Sequence, residues 1–293
     1  MTSVGSTTVV GTSRGPVEYQ VRGQGTPVLV LHGSPGGIDA AEAMSRFLPQ
    51  DTFAAVLLSR PGYLGTALGD RRTPDDQADL YAALLDELGI EKVGVLAWSG
   101  GGPSAFRFAA RHPDRVTSLV ALACLIGPWV DPGADLSTRF FQSTRVGDWL
   151  MAKLVARQPL QVIRGAVASE SSLSGDDVEA EIQQIASDES KKQFVLDLAL
   201  TASRVGRRRD GWRNDCLQFA QSESLGLDGI AAPTLLVQGS ADSDVVPANS
   251  DRAHQDIAGS ELLTLDLGTH FAFYTHPSSQ LAQAKAIEYL LRS

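Results

Sequence analysis

The stretch VLAWSGGGP, Val95 to Pro103, sets Ser99 between an apolar strand-like run and a helix-like segment. A serine presented on so sharp a strand-to-helix turn needs small residues two positions to either side, the requirement written G-x-S-x-G. Here the pattern reads Ala97-Trp98-Ser99-Gly100-Gly101, with a methyl group at the first small position. Small-x-Ser-x-small strings are common; the place between strand and helix is what makes Ser99 a candidate nucleophile rather than a turn serine. Because a serine hydroxyl is a weak nucleophile at neutral pH, the reading requires a base to take its proton and a third group to orient that base.

Five histidines can be weighed for the base. His112 and His276 each precede a proline at a helix boundary, which suits surface or capping roles, and His254 lies in a polar helix-like stretch. His32 adjoins a glycine-rich loop, where a structural hydrogen bond is expected. His270, in LGTHFAFYTHP after the last strand-like run, is the expected base. The loop GSADSDVVP offers two carboxylates: Asp242, at the exit of the penultimate strand, is expected to orient the His270 ring, and Asp244 to be solvated or turn-forming. A developing oxyanion needs preorganised N–H donors. Gly100, following the serine, can give one; in the loop HGSPGG, His32 to Gly37, Pro35 has no N–H and Ser34 is the best second donor. Such chemistry needs neither a metal nor an organic cofactor.

These residues must be held by elements that the apolar pattern marks out. Strand-like runs PVLVLHG (from Pro27), FAAVLLSRPG (Phe53), KVGVLAWSG (Lys92), VTSLVALACL (Val116), PTLLVQG (Pro233) and ELLTLD (Glu261) follow a hairpin-like pair near TTVVGT and PVEYQVRG. Their continuous apolar content suits strands buried on both faces. Helix-like segments alternate with them, which predicts a largely parallel sheet covered on both sides. In TPDDQADLYAALLDELGI, Leu80, Leu84, Leu85 and Leu88 share a face, Thr73 can cap, Pro74 takes the first position, Asp75 and Asp76 suit the positive end, and Gly89 can end the helix. The alternation fails from about 128 to 227, which predicts a helical insertion within a core of 1–127 and 228–293. The insertion carries Trp129, Phe140, Phe141, Trp149, Met151 and Trp212, and an arginine run with Arg204, Arg207, Arg208 and Arg209 that reads as a solvated helix end or an anion site.

At 293 residues, 43% hydrophobic and 20% charged, the chain has the composition of an ordinary globular protein with room for a large core. A formal charge of -9 repels polyanions, so nucleic acid is not an expected partner, and no apolar run is long enough to span a bilayer. The two cysteines, Cys124 and Cys216, fit no metal or redox spacing. The first residues lack the basic start and apolar stretch of a secretory signal, and a cytoplasmic location is expected.

The order HGSPGG, AWSGGGP, GSADSDVVP and GTHFAF, with SRPGY, HPDRVTSLVAL and IAAPTLLVQG, resembles the α/β-hydrolase superfamily in its cap-bearing branch of esterases, proline-iminopeptidase-like enzymes and carbon–carbon bond hydrolases. The resemblance implies a mostly parallel eight-stranded sheet flanked by helices, with the insertion as cap. It also implies Ser99 as nucleophile, His270 as base, Asp242 as acid, and Ser34 and Gly100 as oxyanion donors. The expected partner is a small molecule with a hydrolysable carbonyl; a homodimer is left open. Trp98, Trp129 and Arg60 are candidate substrate contacts, Arg60 meeting either a substrate carboxylate or an Asp. Serine at position 99 disfavours the aspartate-nucleophile chemistries of haloalkane dehalogenases and epoxide hydrolases, and HGSPGG and AWSGGG depart from the usual proline iminopeptidase motifs. Esterase-type hydrolysis leads; aminopeptidase, acyltransferase, perhydrolase and receptor-like binding roles are the alternatives. A base with an ordinary histidine pKa would lose activity below about pH 6 to 7.

Overall fold

The computed structural model describes residues 7–130, 141–221 and 224–292. Among them, eight strands form one sheet in the order β1-β2-β4-β3-β5-β6-β7-β8. They are β1 (Thr8–Thr12), β2 (Gly15–Gly23), β3 (Thr26–Leu31), β4 (Phe53–Leu58), β5 (Val93–Trp98), β6 (Val116–Leu122), β7 (Thr234–Gly239) and β8 (Glu261–Leu265). The first two form the antiparallel hairpin, β2 joins β4 antiparallel, and all later pairings are parallel. The central strands are buried on both faces, as their apolar runs require, but β8 is not. It lies at the sheet's edge with Leu262 and Leu263 only half-buried, because an edge strand has a neighbour on one side alone.

The chain passes from β3 through α1 (Ile38–Met44) to β4, then through α2 (Pro74–Glu87) to β5 on the other side of β3. The strand order therefore reverses between β3 and β5, and the loops at their carboxyl ends part to leave the crevice in which open α/β sheets place ligands. Helix α2 starts as its sequence demands: Thr73 Oγ1 accepts the Asp76 N–H at 3.1 Å, and the Asp76 carboxylate accepts the Thr73 N–H at 3.0 Å. Leu80, Leu84 and Leu85 of α2 join Phe106 and Phe108 of α3 (Gly102–Arg111) in the apolar layer on one face of the sheet. On the other face, Ile38 and Met44 of α1 pack with Ala282, Ala286 and Leu290 of the terminal helix.

Between β6 and β7 the described residues form helices α4 (Arg145–Arg157), α5 (Pro159–Ser169), α6 (Asp176–Ser187), α7 (Glu189–Thr201) and α8 (Arg209–Gln221) and no strand. Val162, Val167, Ile182, Ile185, Phe194 and Leu198 give them an apolar cluster of their own, joined to the rest through Ala43 and Phe271. Phe140, one of the aromatics of this insertion, lies outside the described residues. The core then continues through β7, α9 (Ala248–Asp256), β8, α10 (Ala272–Thr275) and α11 (Ser279–Leu290). Both cysteines are free thiols. Among the described residues no helix is long and apolar enough to cross a membrane.

Candidate active site

Ser99 leaves β5 with φ at 52°, a left-handed conformation in which a side chain is strained, and a single 3-10 turn, Ser99–Gly101, leads into α3. The sharpness of this turn is allowed by what is missing beside it. A Cβ on Gly101 would come 2.7 Å from the His32 carbonyl oxygen, so glycine serves here for close approach to the end of β3 rather than for an unusual φ. Gly33 touches the serine from the β3 side: a Cβ there would lie 3.2 Å from Ser99 Cβ. The Leu125 N–H donates to the Ser99 carbonyl at 3.2 Å. Among the described residues the Ser99 hydroxyl itself makes no hydrogen bond, so the backbone turn alone positions it.

The loops after β7 and β8 bring Asp242 and His270 together. His270 Nδ1 donates to Asp242 Oδ2 at 2.7 Å, with both side chains almost fully buried. Asp242 is itself held: Oδ1 accepts the N–H groups of Asp244 and Val245 at 3.0 and 2.9 Å, and Oδ2 also accepts from Gln238 Nε2 at 3.2 Å. Gln238 is fixed in turn by Ser250 Oγ, which donates to its Oε1 at 2.8 Å. Trp98 stacks on the imidazole with ring centres 5.1 Å apart and an angle of 25°.

The other edge of His270 faces more acid. Asp244 Oδ2 lies 3.8 Å from Nε2, so Asp244 is more than a solvated turn residue. Glu170, directly after α5, completes a group with Asp244 and His270 whose ligand atoms all lie within 4.8 Å of one another, a set that could hold a divalent cation. The inserted segment is stitched to this corner by backbone bonds: Glu170 O accepts the His270 N–H at 3.2 Å, Ser172 N–H donates to Ala241 O at 2.8 Å, and Ser171 bridges to Asp242. Burial opposes a charged imidazole, but Asp242, with Asp244 and Glu170 behind it, more than offsets burial and raises the His270 pKa to about 10. Burial and then the Asp244 charge push Glu170 the same way, to about 8.

On the opposite side of Ser99 the loop His32–Gly37 is bound into a buried polar network. Ser34 Oγ donates to Asp215 Oδ2 at 2.5 Å and accepts from Arg60 Nη2 at 2.6 Å; Arg60 Nη2 and Tyr63 OH each reach the same Asp215 oxygen at 2.6 Å. His32 has the structural role expected of it. Nε2 accepts the Arg60 N–H at 3.0 Å and Nδ1 meets Gly33 O at 2.7 Å, while burial, then the Arg60 charge, lowers its pKa well below the ordinary value and keeps it neutral. Gly100 lies under Ser34: a Cβ on Gly100 would overlap Ser34 Oγ and come 2.8 Å from Ser34 Cβ.

The three candidate substrate contacts differ in their surroundings. Arg60 is 1% exposed and paired with Asp215, so its guanidinium is not available to a substrate carboxylate. Trp98, half-buried, stacks on His270 and packs against Phe194 and Phe271, and Trp129, also half-buried, packs edge-on to Trp212 and Phe219. Within the arginine run, Arg208 is buried against Gly36 O and the Asp39 carboxylate, and Arg207 lies along Leu64 O and Glu18. His112, His254 and His276 bond to Asp79, Ser260 and the Asp266 carbonyl, away from Ser99. Sequence reasoning missed Glu170, Asp215 and Gln238, none of which carries a local signature. A cavity of about 250 Å³, walled by Pro74, Pro103, Arg107, Ile126, Phe219 and Leu225, meets this region at Phe219, whose ring edge lies 2.9 Å from where a Gly100 Cβ would stand.

The sequence model of the family described as alpha/beta hydrolase fold matches residues 26–277. The uncharacterized hydrolase YcgS of Bacillus subtilis is 28% identical over 262 residues, 87% of this chain and 88% of that protein. An alpha/beta hydrolase fold protein from Nakamurella multipartita superposes with a TM-score of 0.95 at 47% identity, covering 97% of this chain and 99% of the other. A thermophilic esterase from Thermogutta terrifontis shares the fold, with a TM-score of 0.61 at 20% identity and 97% of both chains covered.

Proposed function

The chain belongs to the alpha/beta hydrolase fold family, and from that premise we propose that it is a serine hydrolase cleaving a small ester, amide or lactone through an acyl-enzyme on Ser99, His270 and Asp242. One observation carries the reading. The strained turn at Ser99 and the Asp242-paired His270 stand at the carboxyl ends of strands in one sheet, with Trp98, the residue before the serine, stacked on the imidazole. In the proposed cycle neutral His270 Nε2 takes the Ser99 proton as Oγ bonds to the substrate carbonyl carbon. The carbonyl electrons pass to oxygen, where the Ser34 and Gly100 N–H groups receive them. Collapse expels the leaving group with the proton from His270. Water then repeats the sequence on the acyl-enzyme, and the inserted helices close over the site as a cap.

Only the neutral ring can accept that proton. With the His270 pKa raised to about 10, the ring is mostly protonated at neutral pH, so the acid limb of activity lies on the alkaline side of the ordinary histidine range. A second reading, hydrolysis of an aminoacyl amide, draws on the Asp244 carboxylate beside His270, with the Glu170 carboxyl next to it, as acceptors for a substrate ammonium. A panel of p-nitrophenyl esters, lactones and aminoacyl anilides, run with wild type and Ser99→Ala, separates the readings. Hydrolysis of esters or lactones lost in Ser99→Ala supports the first; preference for the anilides supports the second; turnover undiminished in Ser99→Ala rejects both.

A further inference from the structure

We infer that Asp215, carried on the inserted helix α8, is the positioning residue of the oxyanion loop, so that seating of this helix sets the rate of the acyl-transfer step. The inference rests on the hydrolase reading above and goes beyond it, because Asp215 touches neither Ser99 nor His270.

Ser34 is fixed through its side chain by two hydrogen bonds, one given to Asp215 and one received from Arg60. Arg60 also donates through Nε to His32 O at 3.0 Å, which ties the start of the same loop. The Asp215 carboxylate therefore holds three donors, Ser34, Arg60 and Tyr63, with 2% of its side chain exposed. Its helix reaches the far end of the loop as well. Arg208, one residue before α8, donates to Gly36 O at 3.1 Å and pairs with Asp39. Between these grips the Gly211 N–H donates to Gly62 O at 2.9 Å, and a side chain at Gly211 would overlap the Tyr63 ring. The first turns of α8 thus straddle the loop from Ser34 to Gly36, and the loop's geometry depends on a residue 181 positions away in sequence.

Ser34 also stands over Gly100, so both proposed oxyanion donors take their spacing from where the Ser34 side chain is held. Release of that side chain lets the Ser34 N–H drift, and a displacement of about 1 Å at such a site lowers rate about 100-fold. A positioning role predicts a loss confined to the step in which charge develops on oxygen, whereas a substrate contact would raise KM and a merely structural residue would leave kcat per folded molecule unchanged.

The test uses Asp215→Asn and Ser34→Ala, each assayed for kcat, KM, melting temperature and inhibition by a trifluoromethyl ketone, whose adduct with Ser99 places an oxyanion in the hole. Ser34→Ala keeps the Ser34 N–H and the Arg60–Asp215 pair, and so decides the question if Asp215→Asn fails to fold. The expected result is kcat lowered about 10- to 100-fold in folded protein, KM within about threefold, and ketone affinity weakened in step with kcat/KM. Wild-type kcat in a folded variant, or a loss carried by KM alone with ketone affinity unchanged, overturns the inference. Persistence of activity in Ser99→Ala would instead overturn the hydrolase reading, so the two failures are distinguishable.

Discussion

The two flanks of Ser99 treat charge in opposite ways. On the side of the proposed oxyanion loop each buried charge has its counterion: Arg60 meets Asp215, Arg208 meets Asp39, and His32 stays neutral. On the side of the proposed base one imidazole stands among three carboxyl groups, Asp242 bonded to Nδ1 with Asp244 and Glu170 gathered at the other edge. The first flank is neutralised and rigid, and has no group that needs to titrate near neutral pH. The second holds protons that pH can remove. Substitutions on the first should therefore lower rate at every pH, and substitutions on the second should also move the pH profile.

The largest effect should come from Asp242→Asn. It removes the acceptor that fixes the His270 tautomer and most of what raises its pKa, and kcat should fall about 10⁴-fold, as measured by ester turnover. A drop of less than tenfold would mean that the bond to Asp242 does not set the base. Next is Gly100→Ala. The new methyl must displace a Ser34 side chain that Asp215 and Arg60 hold, so kcat should fall about 10²- to 10³-fold, the loss of one oxyanion donor, with the acid limb of the pH profile in place. Movement of that limb would break the division between the flanks.

Glu170→Gln should do the reverse. Removing one negative charge beside His270 lowers the ring's pKa, so the limb of kcat/KM against pH should move toward neutral while the plateau rate changes little. A wild-type limb already at the ordinary histidine pKa, unmoved by Glu170→Gln, would contradict the charge account.

The smallest effect is on stability. Both His270, raised to about 10, and Glu170, raised to about 8, hold protons more tightly in the folded chain than in the unfolded one. Their contribution is complete below the unfolded pKa values of about 4.3 for Glu and about 6.5 for His, and is lost as pH rises through the folded values. Melting temperature should therefore decline between about pH 5 and pH 10, and Glu170→Gln should flatten the part below about pH 8. Melting curves in a buffer series would show it.

Ser99, His270 and Asp242 were legible as candidates because each sits where a strand ends: Ser99 has small neighbours at an elbow, and Asp242 and His270 were preferred over Asp244 and His276 by their place in loops of the right order. Arg60 was legible only as a choice between substrate and aspartate, since nothing near it names Asp215, 155 positions away. Glu170 and Asp215 belong to an insertion whose helical pattern says nothing about which turn faces the core. Gln238 hides in an apolar strand, and β8 reads as a buried strand because edge position is set by topology, which local composition does not contain. The stacking of Trp98 on His270 was not legible, because the loop that carries His270 follows a strand three places farther along the sheet.

The central claim is that Ser99 is the reacting atom's residue, activated by His270 between these two flanks. It is met most directly by treating the folded wild-type protein, Ser99→Ala and Asp242→Asn with a fluorophosphonate and mapping the adduct by peptide mass spectrometry. One phosphonyl group on Ser99 is expected in wild type, formed much more slowly in Asp242→Asn and absent in Ser99→Ala. No adduct in wild type, or an adduct on another residue that persists in Ser99→Ala, would contradict it.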